Sequence, residues 1–118
     1  MKLVVFGLAI TSSWGNGHAT TYRSLLKALS RRGHEIYFVE KDREWYRNNR
    51  DLPEPPFCTV HLYDDWHEIA RKIVRLCKDA DAVVIGSALV QLIEVQSRDN
   101  VAIQAAAFIR DIRAALDA

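Results

Sequence analysis

From the amino terminus, hydrophobic residues first form an unbroken run, Leu3–Ile10. They then recur at Tyr22, Leu25, Leu26 and Leu29 in a polar background from about His18 to Arg32. An unbroken run reads as a strand buried on both faces, and the 3.6-type spacing as an amphipathic helix. The helix should close at "RRGH", where Arg31 and Arg32 complement the carboxyl-terminal dipole and Gly33 takes a left-handed cap. The pattern then repeats. Glu35–Glu40 is a second strand, rich in β-branched and aromatic residues, and "DREWYRNNRD" a short polar helix. "LPEPP", Leu52–Pro56, is a connector that no helix can enter, because proline lacks the amide donor.

Phe57–Tyr63 reads as a third strand and "DDWHEIARKIVRLCKDA" as a third helix, with Trp66, Ile69, Ile73 and Leu76 or Cys77 on one face. "AVVIGS" is a fourth strand, Ala88–Glu94 a short helix, and the stretch from about Val101 a last amphipathic helix carrying Ile103, Ala107, Phe108, Ile112 and Leu116. Strands that alternate with helices and read as nearly continuous apolar runs describe a parallel sheet covered on both faces. The expected fold is a three-layer α/β domain, Rossmann-like or flavodoxin-like, with four parallel strands in the order 3-2-1-4. Residues 1–118 would form one domain. In that order the sheet changes direction between strands one and four, and ligands of such sheets sit at that switch point, beyond the strand carboxyl ends.

Composition narrows the function. The 118 residues are 49% hydrophobic and 26% charged, a globular balance, and 16 basic against 15 acidic side chains leave a net charge of +1. With no block of like charge, nucleic acid is not an expected partner. No run reaches the ~18 apolar residues that span a bilayer, so no membrane is expected and a cytoplasmic location is. Cys58 and Cys77 read as reduced thiols in or near the core. With four scattered histidines they match no zinc spacing, so no metal is expected, nor any cofactor.

The loops at the switch point carry what chemistry there is. In "SSWGNGHATT", Ser12–Thr21, Gly15 and Gly17 permit positive φ and close approach of a ligand, and the helix start offers amides and partial positive charge, which suits an anion. The dinucleotide fingerprint is not met, because its third glycine position is Thr20. Ser13 and Asn16 read equally as caps or ligand donors. His18, in the first helical turn, stands where a general base would serve, or where a capping residue would. In "IGSALVQLIE", Gly86, Ser87 and Ala88 leave room for a phosphate beside another helix start, or make a tight turn with Ser87 as its cap. Asp64 and Asp65 precede a helix as ordinary caps. Phosphate or sulfate is the expected ligand, at Gly15, Asn16, Gly17, His18, Gly86, Ser87 and Ala88. The chain is expected as a monomer or as a homodimer through a sheet edge.

Two family resemblances overlap near residue 80. On "VVFGLAITSSWGNGHATTYRSLLKALSRRGHEI", "FVEKDREWY" and "LYDDW", residues 1 to about 82 resemble the amino-terminal domain of a GT-B glycosyltransferase of the spore-maturation-like branch. That resemblance implies His18 as the base on an acceptor hydroxyl. On "ADAVVIGSALVQLIE" and "AFIRDIRAALDA", residues from about 80 to 118 resemble the end of a tryptophan synthase α-subunit, a (β/α)₈ barrel. This second resemblance implies that Gly86 and Ser87 bind a substrate phosphate. A barrel takes roughly 250 residues and a GT-B enzyme two ordinary domains, so each catalytic set is incomplete in this chain. Together the resemblances imply a recombined or engineered chimera that is not an enzyme and retains a weak anion site. The alternative is a glycosyltransferase fragment with His18 as its base.

Overall fold

The computed structural model describes residues 1–15, 17–85 and 95–117. In chain order the elements are β1 (Lys2–Gly7), α1 (Gly17–Arg31), β2 (Glu35–Lys41), α2 (Glu44–Asn48), β3 (Thr59–Tyr63), α3 (Trp66–Lys78), β4 (Ala82–Val84) and α4 (Val101–Asp117). The four strands form one sheet in the order β3-β2-β1-β4. All pairings are parallel, with Leu3 opposite both Ile36 and Ala82, and Tyr37 opposite Thr59. The expected α/β sheet and its order are therefore observed, with helices around it. The short helix read at Ala88–Glu94 lies outside the described residues.

Alternation along the strands explains why the middles of β1, Leu3–Phe6, and β2, Ile36–Val39, are apolar. Leu3 and Val5 of β1, with Ile36 and Phe38 of β2, pack on one face against Leu26, Tyr22 and Leu29 of α1. Val4, Phe6 and Val39 point to the other face, where Ile73 and Cys77 of α3 cover them. Successive strand residues face opposite sides, so a strand with helices on both sides has no polar register available. Tyr22 meets Phe38 edge to face, ring centroids 5.8 Å apart. Leu25, expected in this stripe, is 52% exposed. It sits about 100° around the helix from Leu26, outside the line through Ala19, Tyr22, Leu26 and Leu29. On the opposite side α4 packs against α3. Among its described side chains the half-buried positions are Val101, Ala105, Ala107 and Phe108, and Ile103, expected on the packed face, is exposed. A helix docked on another helix buries a narrower stripe than one laid on a sheet.

The element ends have local causes. Gly33 closes α1 at φ 86°, with Gly33 N donating to Ser30 O and His34 N to Leu29 O, the left-handed cap expected there. Asp65 caps α3 by accepting from His67 N at 2.9 Å, as read from the sequence. β1 ends three residues before the predicted Ile10. Beyond Gly7 the backbone leaves the ladder, and the amides of Ile10 and Thr11 are taken by a carboxylate instead of a strand. Ala9 and Ile10 nevertheless stay buried, which is why the apolar run outlasts the strand.

Among the described residues no helix is long and apolar enough to cross a membrane, and no group of three or more His, Cys, Asp or Glu could hold a metal ion. Both cysteines are thiols, Cys58 partly buried and Cys77 buried. Burial, helped by the Glu40 carboxylate, pushes the Cys58 thiol up to about 12, and burial raises that of Cys77. Thiolate is the reactive species, so both thiols should resist iodoacetamide at pH 8 in the native protein and react only after unfolding. Mass spectrometry of the alkylated chain with and without urea checks this, and rapid native labelling of either cysteine would contradict it.

Candidate functional site

The loop from Leu8 to Gly15 leaves β1 at the carboxyl edge of the sheet on the way to α1, and it is held by charged side chains. Glu40, the sixth residue of β2, is fully buried. Its Oε1 accepts from Ile10 N at 2.6 Å and Thr11 N at 3.1 Å, and its Oε2 from Thr11 Oγ1 at 2.6 Å. Arg50 supplies the counter-charge. Its Nη2 lies 3.8 Å from Glu40 Oε2 and donates to Asp42 Oδ1 at 2.6 Å, while its Nε donates to Thr11 Oγ1 at 3.1 Å. Hydrogen bonds from Arg50, against some desolvation and with help from Arg47, hold the Asp42 carboxyl below its usual range.

A second clamp stands one step further along the loop. Asp51 accepts from Ser13 N at 3.0 Å and from Ser13 Oγ at 2.6 Å, and takes both Nη atoms of Arg23 at 2.7 and 3.1 Å. The Nε of Arg23 donates in turn to Ile10 O at 2.9 Å, so α1 is tied to the loop that precedes it. The bidentate guanidinium, opposed by desolvation and aided by Ser13, holds the Asp51 carboxyl well below the ordinary carboxylate value. Ser12 Oγ donates to Asn49 O, Leu52 N to Thr11 O, and Trp45 Nε1 to Trp14 O. The segment from Asp42 to Leu52 thus forms the outer wall of the loop.

Against this geometry the expected site residues separate. Gly15 adopts φ 65°, where a side chain would be strained, as the anion-loop reading requires. Gly17 does not: its φ is not positive, a Cβ there would meet nothing within 4 Å, and it is already the first residue of α1. Ser13 donates both its amide and its hydroxyl to Asp51. His18 is exposed in the first turn of α1. Asn16, Gly86, Ser87 and Ala88 lie outside the described residues. β4 pairs Val84 with Val5, so its carboxyl end runs beside that of β1.

Glu40, Arg50, Asp51 and Arg23 were not read as site residues. Glu40 carried a signal, since it follows the apolar run Ile36–Val39 at the edge of the sheet where ligands bind. An acidic side chain at that position in dinucleotide-binding folds holds a ribose hydroxyl. Here it is spent on the loop, in keeping with the absence of the dinucleotide fingerprint.

These features define an open, doubly wound α/β domain with a braced glycine loop at its switch point. Over 40 residues, 34% of this chain, the sequence is 65% identical to the tryptophan synthase alpha chain of Polaromonas sp. (strain JS666 / ATCC BAA-500) and 62% identical to that of Polaromonas naphthalenivorans (strain CJ2). Over 48 residues it is 50% identical to the tryptophan synthase alpha chain of Leptothrix cholodnii. The chain spans only 15 to 18% of the length of these relatives. No protein-family model matches the chain, and no solved structure gives a significant match. Part of the chain is therefore similar to tryptophan synthase alpha chains, and nothing in the comparisons supports the glycosyltransferase resemblance. The expectation that the chain is not an enzyme is corrected: the relatives it matches are chains of an enzyme, over a third of this sequence.

The two clamps give separable expectations. Glu40→Ala leaves two buried loop amides and a hydroxyl without their acceptor and takes one of two counter-charges from Arg50, and should cost about 3–5 kcal/mol in urea unfolding. Glu40→Gln keeps the shape and should cost less, about 1–3 kcal/mol. For Asp51 the folded carboxyl titrates below the unfolded one, so its contribution is complete above the unfolded value of about 3.9 and is lost as pH falls through the folded value. The side chain is 36% exposed, which screens the pair to about 1 kcal/mol. Asp51→Asn should therefore be less stable than the parent at pH 7, the difference shrinking on acidification below pH ~4. A gap that stays constant down to pH ~2 would refute the linkage.

Proposed function

We propose that the chain binds a small phosphate-bearing anion in the crevice between the carboxyl ends of β1 and β4. The backbone of Gly15, Asn16, Gly17 and His18 would line one side, and that of Gly86, Ser87 and Ala88 the other. The observation that supports this reading is the strand order: β1 and β4 are neighbours while β2 lies on the other side of β1, and in sheets of this kind ligands bind beyond the carboxyl ends of strands at such a switch point. α1 begins at Gly17 directly behind it, with its amino-terminal amides and partial positive charge. The carboxylates nearest the loop do not repel an anion there, since Glu40 is matched by Arg50 and Asp51 by Arg23. They also occupy the amides of Ile10, Thr11 and Ser13, which confines the anion to the glycine turn and the start of α1.

Identity of 50 to 65% confined to about a third of the chain supports the further reading of a recombined α/β protein, one βα portion of which is of tryptophan synthase alpha origin. Helix-terminus interactions at an exposed site contribute ~0.3–1 kcal/mol each, so inorganic phosphate should bind in the millimolar range. In an NMR titration with phosphate at constant ionic strength, the amides of residues 15–18 and 86–88 should shift together along one saturation curve. Shifts in one group without the other, or in neither, would show that the loops do not share a site.

A further inference from the structure

At the other end of the sheet, α3 leaves part of its face uncovered. α3 seals β1 and β2 through Ile73 and Cys77, and beside it, toward β3 and the amino ends of the strands, runs a groove of about 520 Å³. This volume falls within the range of small-molecule sites. Arg71, Lys72 and Arg75 of α3 and Lys2 of β1 line it, against the two carboxylates of Glu68 and Asp79. Among the described residues none of the three α3 cations is within 4 Å of a carboxylate oxygen. A concave wall of uncompensated cations concentrates anions.

The floor adds an observation independent of charge. His61 of β3 lines the groove, and its Nε2 is buried without a hydrogen-bond partner among the described residues. The imidazole is held flat against Tyr37 of β2, centroids 5.8 Å apart and planes 14° from parallel, and the Lys2 ammonium lies 5.2 Å from the Tyr37 ring centre on the same wall. A buried ring nitrogen without a partner is costly, and a bound oxyanion would supply one. Arg71 and Arg75 stand one turn apart, ~6 Å along the helix axis, a spread that suits two linked anionic groups better than one. Two guanidinium forks and an ammonium on one face can each take oxygens of such a group.

We propose that this groove binds a diphosphate-class anion, held by Arg71, Lys72 and Arg75 and hydrogen-bonded by His61 Nε2. The site is separate from the crevice at the carboxyl ends of β1 and β4 and needs none of its residues. Burial, together with Lys72, lowers the His61 pKa, so the ring is largely neutral at pH 7 and its Nε2 donates in one tautomer. The charged and titratable groups facing it are Lys2 from β1, Tyr37 from β2, Glu68, Arg71, Lys72 and Arg75 from α3, and Asp79 just beyond α3. A bound anion outweighs these cations locally and should raise the His61 pKa.

The test uses the intact chain and pyrophosphate at constant ionic strength, followed by the ring ¹⁵N signals of His61. Saturable movement of Nε2 is expected, with the His61 pKa raised by about half a unit or more at saturation. Inorganic phosphate should bind more weakly. The double variant Arg71→Gln, Lys72→Gln should lose about tenfold in pyrophosphate affinity while phosphate shifts of residues 15, 17 and 18 stay unchanged. Both side chains are exposed, so folding should be preserved, as an unaltered β1 and β2 amide spectrum would show. Arg75→Gln serves in its place if the double variant does not fold. Pyrophosphate shifts that do not saturate, an unmoved His61, or equal affinity in the variants would overturn the proposal.

Discussion

The buried carboxylate of Glu40 is the constraint on which the upper edge of the sheet depends. β1 is an inner strand, so when its backbone leaves the ladder after Gly7 its amides enter a region without water. Buried amides must find acceptors, and Glu40, opposite Gly7 in the register, meets two of them and a hydroxyl with one side chain. A buried anion then needs a cation. Arg50 takes that place, and its second partner Asp42 draws the chain after β2 back over the loop. The position of the glycine turn follows from this chain of compensations.

The Asp51–Arg23 pair extends the same logic to α1. Arg23 lies more than one turn inside the helix, and its contacts with Ile10 O and Asp51 fix the rotation of α1 over the sheet. That rotation is the one in which Ala19, Tyr22, Leu26 and Leu29 face β1 and β2. Polar bracing and apolar packing therefore agree on a single docking of the helix. Two networks that prefer the same arrangement reinforce one native state. At the opposite end of the sheet α3 leaves a cation-lined groove over His61 and Tyr37.

Much of the fold was legible because it follows from short-range rules. The apolar middles of β1 and β2, the stripe on α3, the left-handed Gly33 and the Asp65 cap each follow from neighbouring residues alone. The errors share a cause. The end of β1 and the exposure of Ile103 depend on partners far along the chain. Glu40 was read only as the end of a strand, because nothing local tells whether a terminal carboxylate faces solvent, a ligand or a backbone loop. Gly17 shows the converse: a glycine in a suggestive spacing that the helix accepts without needing its conformational freedom.

The sequence by itself determined the α/β class, the parallel sheet, its order and the location of a glycine turn at its switch point. Periodicity, turn chemistry and the handedness of parallel crossovers leave little freedom in these. Tertiary structure alone decided which loop amides are already taken, which charges cancel and which stand uncompensated. Glu40 meets Ile10 across 30 positions of sequence, Ser13 meets Asp51 across 38, and Met1 meets His34 across 33. Such pairs form only after strands have aligned. Electrostatic and hydrogen-bond energies fall steeply with distances that the order of residues does not encode.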